Sequence, residues 1–148
     1  MPFIVRWPGS VAAGTVSDRL ICFTDLLATF GELVETELTD DAGPDSISFY
    51  KTLSGQSEPA RPTLVIKSGS GFMTARQGPW KLITQLGSGG FSKPSRIKSG
   101  PDGPSGQLYN LDQDLGETNN LFDEKPGIVA KFSAELKRIQ DSGSSRNP

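Results

Sequence analysis

The sequence contains no histidine and a single cysteine, and both scarcities limit its chemistry. Histidine is the side chain that most often serves as a general base near neutral pH, and it is the commonest ligand of transition metals. Because there is no second cysteine, the chain cannot hold an internal disulfide. Histidine-dependent catalysis and a disulfide framework are therefore excluded for these 148 residues.

Long apolar runs and an excess of charge of one sign are also missing. No run reaches the roughly 18 apolar residues that a membrane-spanning helix needs, and Arg6 and Pro8 interrupt the apolar start without a signal-peptide pattern. Fifteen basic and seventeen acidic residues give a net charge of −2, so no global field attracts nucleic acid or an anionic membrane. We therefore expect neither as a partner, and the cellular location is left open.

The first third of the sequence predicts a strand followed by a helix. Phe3–Val5 is a β-branched and aromatic run that ends at a Trp-Pro-Gly turn, which is typical of a buried strand. Apolar residues then recur at helical spacing, which predicts a helix from Asp25 to Glu35. Ser46–Leu53 predicts one or two further helical turns. Because a buried strand needs neighbours on both sides, this start resembles an interior segment of a longer domain.

Strand patterns dominate after Pro62. Three runs of strand-forming residues, separated by short turns, predict strands at Thr63–Lys67, Phe72–Arg76 and Trp80–Gln85. A fourth run, after a long Gly- and Ser-rich loop, predicts a strand at Gln107–Leu111. Pro126 suits the first turn of a closing helix with one apolar stripe, and the tail from Ser142 is expected to fray. The predicted fold class is α/β, an α+β fragment in which a strand and a helix precede a small antiparallel sheet packed with a C-terminal helix.

Four sequence segments, found in the same order along nearly the whole chain, resemble segments of the sulfatase family. They are Pro2–Gly9, Thr24–Thr29, Arg76–Leu82 and Leu108–Leu121, the last of which is similar to the Leu-Tyr-Asp-Leu, Asp-x-Gly-Glu-x-x-Asn signature near the end of arylsulfatase-type enzymes. The resemblance covers only the C-terminal third of these alkaline-phosphatase-like enzymes. It implies that residues 1–58 are the last part of a truncated catalytic domain and that residues 59–148 are a C-terminal subdomain.

The catalytic groups of that family have no counterpart in the sequence. Sulfatases use a formylglycine made from the Cys or Ser of a Cys/Ser-x-Pro/Ala-x-Arg motif, and a calcium ion neutralises charge on the sulfate. Cys22 has neither Pro nor Arg at the required offsets and is interpreted as a buried small apolar residue. We expect no catalytic residue and no cofactor in this chain, because calcium and formylglycine would belong to the missing N-terminal part.

One active-site position of the family falls inside the chain. Many bacterial members carry His-His-Ser ahead of the Arg-x-Gly-x-Trp-Lys-Leu strand, and counting back from Arg76 places Ile66-Lys67-Ser68 there. Lys67 is therefore the one candidate substrate-binding residue, since its cation can attract a sulfate. The alternative interpretation is a solvated lysine at a strand end.

A metal site is not predicted. The acidic residues that cluster near the end of the sheet region are expected to form a turn whose side chains bond to the backbone, rather than a calcium loop; they are Asp112, Asp114 and Glu117.

Three functions remain open on the sequence. The first is a C-terminal fragment of a sulfatase, a sulfuric ester hydrolase, and this fragment is inactive by itself. The complete enzyme would act on a sulfated small molecule or glycan. The fragment would self-associate through its exposed N-terminal segment. The second is a standalone module that binds sulfated glycans through a basic patch of Lys93, Arg96 and Lys98, with Lys67 and Lys81. A solvated flexible loop is the favoured interpretation of these residues, because they lie among Ser, Gly and Pro. The third is a degenerate gene remnant.

Overall fold

The computed structural model describes residues 3–56 and 61–146. Its helices and strands, in chain order, are α1 (Asp25–Leu33), α2 (Tyr50–Leu53), β1 (Leu64–Lys67), β2 (Met73–Gln77), β3 (Trp80–Ile83), β4 (Gln107–Asn110) and α3 (Pro126–Ser142). The chain divides into two compact units. The first unit comprises Met1–Arg61 with Ser144–Pro148, and the second unit comprises Pro62–Gly143.

The second unit is built on a four-stranded antiparallel sheet with the strand order β1-β2-β3-β4. The register pairs Lys67 with Met73 and Gln77 with Trp80, so that the first two connections are short hairpins. β4 joins the sheet beside β3 after a long connection. The mixed α/β class and the small antiparallel sheet with its C-terminal helix are confirmed.

The core of the second unit lies between one face of the sheet and α3. Ala75, Leu82 and Leu108, on three neighbouring strands, pack with Phe132 and Leu136 of the helix. These strand residues are register partners, and the two helix residues are four apart, so each element presents one apolar face to the other. α3 begins at a proline, whose missing N–H is not needed there, and it ends at a glycine in the left-handed conformation.

The strand predicted at Phe3–Val5 is wrong. No strand is assigned to these residues, and the Ile4 side chain is 87% exposed. Apolar character favours a strand only where a neighbouring strand supplies backbone hydrogen bonds, and none of the described residues does so here. The Phe3 ring instead stands edge-on to Phe49, with 5.5 Å between ring centroids.

The helices of the first unit follow the sequence pattern more closely. α1 begins at Asp25 as predicted and ends at Leu33, because Glu35 adopts a left-handed conformation with φ 54°. α2 is a single turn within the predicted range. No helix in the described ranges is both long and apolar enough to cross a membrane.

Ser145 and Arg146, beyond α3, are more ordered than the sequence predicts. Beyond α3, the Ser145 backbone N–H donates to Asp45 Oδ1 over 2.9 Å, and the Arg146 guanidinium donates to the carbonyls of Thr39 and Ala42. The expected fraying from Ser142 is therefore wrong for these residues. Hydrogen bonds of polar side chains and backbone groups hold Ser145 and Arg146 in place, although the sequence there has no apolar pattern.

Candidate functional site

Lys67 is the last residue of β1, the edge strand of the sheet, and its side chain is exposed. Strand alternation places it on the same face as Val65, which packs against the core cluster shared with α3. Ser68 then starts the turn to β2: its N–H donates to Phe72 O over 2.8 Å, and its Oγ accepts from Phe72 N–H over 3.1 Å. Ser68 therefore closes a hairpin and holds the end of β1 in place.

The basic loop between β3 and β4 lies against this same end of the sheet. The Arg96 guanidinium donates to the carbonyl of Ser70 over 2.8 Å, and its central carbon lies 5.3 Å from the centroid of the Phe72 ring. Lys93 and Lys98 of the loop are exposed. Lys67 and Arg96 thus share one end of the sheet, with the Arg96 charge used to fasten the loop to the β1–β2 turn.

Lys81 lies at the opposite end of the sheet. It pairs with Arg76 on one side and Tyr109 on the other, and its Nζ lies 2.5 Å from Glu117 Oε1 in a half-buried ion pair. The predicted five-residue basic patch is therefore not assembled as one site. The Tyr109 hydroxyl donates to Gln107, and burial raises the pKa of Tyr109, with the Glu117 and Asp114 charges adding to the effect.

The acidic segment after β4 is a turn, as the sequence predicts. The Asp114 carboxylate accepts from the backbone N–H groups of Thr118 and Asn119, both over 2.8 Å, and from the Thr118 hydroxyl over 3.0 Å. These bonds, led by that from Asn119, lower the pKa of Asp114. Across the described ranges, no three His, Cys, Asp or Glu side chains are grouped so as to hold a metal ion.

Asn120 holds the start of β4, a role that its place in the sequence motif does not reveal. Its Oδ1 accepts from the N–H groups of Leu108 and Phe122, over 2.9 and 3.1 Å, and its Nδ2 donates to Gly106 O over 3.0 Å. A Cβ at Gly106 would lie 2.6 Å from the Phe122 ring, so this crossing needs a glycine. The terminal motif is therefore a structural element of the second unit.

In the first unit, Asp25 accepts hydrogen bonds from three parts of the chain. Its carboxylate accepts from Cys22 N–H over 2.8 Å, from Ile47 N–H over 3.0 Å, and from the buried guanidinium of Arg61. The sequence pattern suggests only a helix cap for Asp25 and gives no sign of Arg61, 36 residues away. Cys22 itself is half-buried rather than buried.

Similarity to known proteins extends over almost the whole chain. No family model matches it. The chain is 29% identical over 140 residues, 95% of its length, to an N-acetylgalactosamine-6-O-sulfatase of Bacteroides thetaiotaomicron. The chain is therefore similar to sulfatases over almost its whole length. An ulvan-active sulfatase of Formosa agariphila is 38% identical to it over 56 residues.

Solved structures agree with this relationship. A protein of Bacteroides thetaiotaomicron, solved in connection with its metabolism of multiple glycosaminoglycans, matches 79% of this chain with a TM-score of 0.62 and 27% identity. A protein solved in complex with its substrate D-glucosamine-2-N,6-O-disulfate matches 98% of the chain with a TM-score of 0.65; at 18% identity this likeness shows the fold alone.

The matched part of the chain spans 27% of the Bacteroides relative and 11% of the Formosa relative. Its matches likewise cover 24% and 30% of the two solved chains. This share fits the C-terminal portion of a sulfatase, as the order of the motifs predicts.

Proposed function

We propose that this chain forms the C-terminal part of a sulfatase that hydrolyses sulfate esters of carbohydrates, and that it is inactive by itself. The observation that carries the proposal is similarity over 95% of the chain to an N-acetylgalactosamine-6-O-sulfatase of which it spans only about a quarter. The Formosa relative, an ulvan-active sulfatase, supports carbohydrate as the substrate class.

Inactivity of the isolated chain follows from its side chains. Hydrolysis of a sulfate ester needs a nucleophile at sulfur and a proton donor for the leaving oxygen. The 148 residues include no histidine and no Cys/Ser-x-Pro/Ala-x-Arg motif, and the one cysteine lies in a different context. The calcium ion and the formylglycine implied by the resemblance would be held by other residues of the complete enzyme.

This chain would contribute a wall of the substrate cleft. In the proposal, the first unit completes the catalytic domain, and the second unit is the C-terminal subdomain that presents the Lys67 end of its sheet to the substrate. The motif count would align Lys67 with a cleft-lining histidine of the family, and Lys67 is exposed at a strand end. An exposed ammonium group attracts a sulfate only modestly, so its contribution would be to affinity.

A second candidate is a module that binds sulfated glycans. It is favoured by the position of the loop that carries Lys93 and Lys98, since Arg96 fastens that loop to the end of the sheet where Lys67 lies. It is weakened because Lys81 is paired with Glu117 at the other end.

The test is an assay of the purified 148-residue chain with calcium and a chromogenic aryl sulfate. We expect no turnover above buffer, and turnover that co-purifies with the monomer would overturn the proposal. A sulfated-glycan affinity column separates the second candidate: retention at physiological salt that is lost on joint Lys67→Ala, Lys93→Ala and Lys98→Ala substitution would favour the binding module.

A further inference from the structure

The long loop between β3 and β4 carries a fully exposed phenylalanine at its tip. Phe91 is 108% exposed, more than any other large apolar side chain of the described residues. The residues beside it in the tip, Gly90, Ser92 and Lys93, are also exposed. A single exposed apolar side chain is common at protein surfaces. This one differs because the loop beneath it is fixed by hydrogen bonds.

Backbone hydrogen bonds join the two sides of the loop below the tip. The N–H of Ile97 donates to Leu86 O over 2.9 Å, which forms an isolated β-bridge. The N–H of Ser88 donates to Pro94 O over 3.1 Å. The Ser88 hydroxyl also donates to the carbonyl of Ser92. The tip is therefore the end of a closed loop.

The same loop is packed onto the sheet. Gly89 is buried and has φ 62°, and a Cβ at this position would lie 2.7 Å from the Phe72 ring. The close approach therefore needs a glycine. Arg96 lies over the same ring and donates to Ser70 O over 2.8 Å. The loop thus holds Phe91 in place before any ligand binds, and a group positioned in advance loses little conformational freedom on binding.

The tip combines an aromatic ring with a cation. Lys93 follows Phe91 by two residues, which span at most about 7 Å of chain. The ion pairs found among the described residues do not involve Lys93. The face of an aromatic ring carries partial negative charge and attracts weakly positive C–H groups, and an ammonium group is a point charge that attracts sulfate. A ligand that fits both has C–H groups on one face of a ring and a sulfate group close by.

Resting on the proposed function, we propose that Phe91 is a stacking platform for a sugar ring of the sulfated glycan and that Lys93 binds a sulfate group of the same glycan. A pyranose ring presents C–H groups on its faces and is close in size to a phenyl ring. One relative is an N-acetylgalactosamine-6-O-sulfatase, and its name specifies a sugar ring that bears a sulfate ester.

A protein partner fits the tip less well than a sugar does. A standard protein interface buries about 800 Å² on each partner, whereas one phenylalanine side chain offers roughly 200 Å². Gly90, Ser92 and Lys93 add little apolar area to it, and lysine is depleted from the cores of protein interfaces. A single sugar ring, in contrast, can be covered by a single aromatic ring.

The experiment titrates the isotope-labelled 148-residue chain with N-acetylgalactosamine 6-O-sulfate, and with N-acetylgalactosamine as the unsulfated control. Amide chemical shifts give the location of binding and the dissociation constant. We expect saturable shifts at residues 90–93 and tighter binding of the sulfated sugar. Phe91→Ala should weaken binding about three- to tenfold at every salt concentration, because stacking is not screened, and Phe91→Trp should retain it.

Lys93→Ala should weaken binding about two- to fivefold at low salt, and this loss should disappear at about 1 M NaCl, where the screening length is about 3 Å. Lys98→Ala, at an exposed lysine of the same loop, is the matched control and should have little effect. Because all three side chains are exposed, none of these variants should change the melting temperature of the chain, and this is measured for each.

Three results overturn the proposal. The first is the absence of saturable shifts at the tip. The second is an equal loss of affinity from Lys93→Ala and Lys98→Ala with none from Phe91→Ala, which would indicate a general effect of charge. The third is a lower melting temperature caused by Phe91→Ala in a chimera that carries the chain in place of the matching region of the Bacteroides relative, since Phe91 would then pack on protein. The proposed function is judged separately, because turnover of aryl sulfate by the chain alone would contradict it whatever the titration gives.

Discussion

Asp25 and Arg61 form a buried ion pair in which each side chain is only 2% exposed. The Arg61 guanidinium also donates to the carbonyl of Asp45 over 3.1 Å, and the carboxylate of Asp45 accepts from the N–H of Ser145. The pair thus links the start of α1, the segment before α2 and the last part of the chain. A buried pair of this kind costs desolvation to form, but it costs more to break, because the remaining charge is left unpaired.

We predict that Asp25→Ala destabilises the first unit by roughly 3–5 kcal/mol. Loss of the carboxylate leaves Arg61 buried without its counter-charge and removes the acceptor of Ile47 N–H. Hydrogen exchange of the Ile47 and Phe49 amides measures this locally. The control is Lys137→Ala, which removes the exposed pair with Asp141 and should cost less than about 0.5 kcal/mol. Equal protection in the two variants would contradict the role given to the buried pair.

We predict that Asn120→Ala destabilises the second unit by about 2 kcal/mol, because the N–H groups of Leu108 and Phe122 both lose their acceptor. Asn119→Ala is the matched control, because Asn119 donates to Asp114 through its backbone N–H, which the substitution keeps. Urea unfolding followed by tryptophan fluorescence in a Trp7→Phe background reports the second unit through Trp80. A midpoint for Asn120→Ala equal to that of the control would argue against a structural role for the motif.

The Asp114 turn should weaken at acid pH. Backbone hydrogen bonds from Asn119 and Thr118 lower the pKa of Asp114 in the folded state. A group with a depressed folded-state pKa contributes stability that is present above its unfolded value, near 3.9, and is lost as the pH falls through the folded value. The stability of the wild-type chain should therefore fall more steeply below about pH 4 than that of Asp114→Asn. Identical slopes for the wild-type chain and Asp114→Asn would contradict the assignment.

The elements that local periodicity specifies could be predicted from the sequence. The four strands and α3 carry their own alternating or helical patterns and turn residues, and each forms within a few residues of its predicted bounds. The predicted strand at Phe3–Val5 failed because pairing depends on a neighbour, which an apolar run cannot supply by itself. Asp25–Arg61 and Ser145–Asp45 join residues 36 and 100 apart, and a single sequence gives no sign of either.

Of the candidate site, the sequence predicts only the position of Lys67, and it does so by the spacing of the motifs. The motif count places Lys67 at a strand end, and the structure gives it that position on an edge strand. Whether the other basic residues gather around it depends on strand register. The register places Lys81 and Lys67 at opposite ends of the strands. The amino-acid composition does not reveal this separation.

A chimera tests the role of Lys67. It carries the 148 residues in place of the matching region of the Bacteroides relative. Within it, Lys67→Ala should raise the KM for a sulfated substrate about two- to fivefold and leave kcat nearly unchanged, because an exposed charge contributes modest, uniform binding. Lys98→Ala, in the exposed loop, is the control. A KM unaffected by Lys67→Ala would remove Lys67 from the substrate site.

Desulfation by this chimera tests the central claim most directly. Its calcium-dependent release of sulfate from N-acetylgalactosamine 6-O-sulfate is compared with that of the relative from which the matching region has been deleted, and with that of the 148-residue chain alone. We predict turnover by the chimera and none by either part alone, since the chain would complete the fold of a sulfatase without supplying its catalytic groups. A soluble, folded chimera that releases no sulfate above the deleted relative would contradict the account.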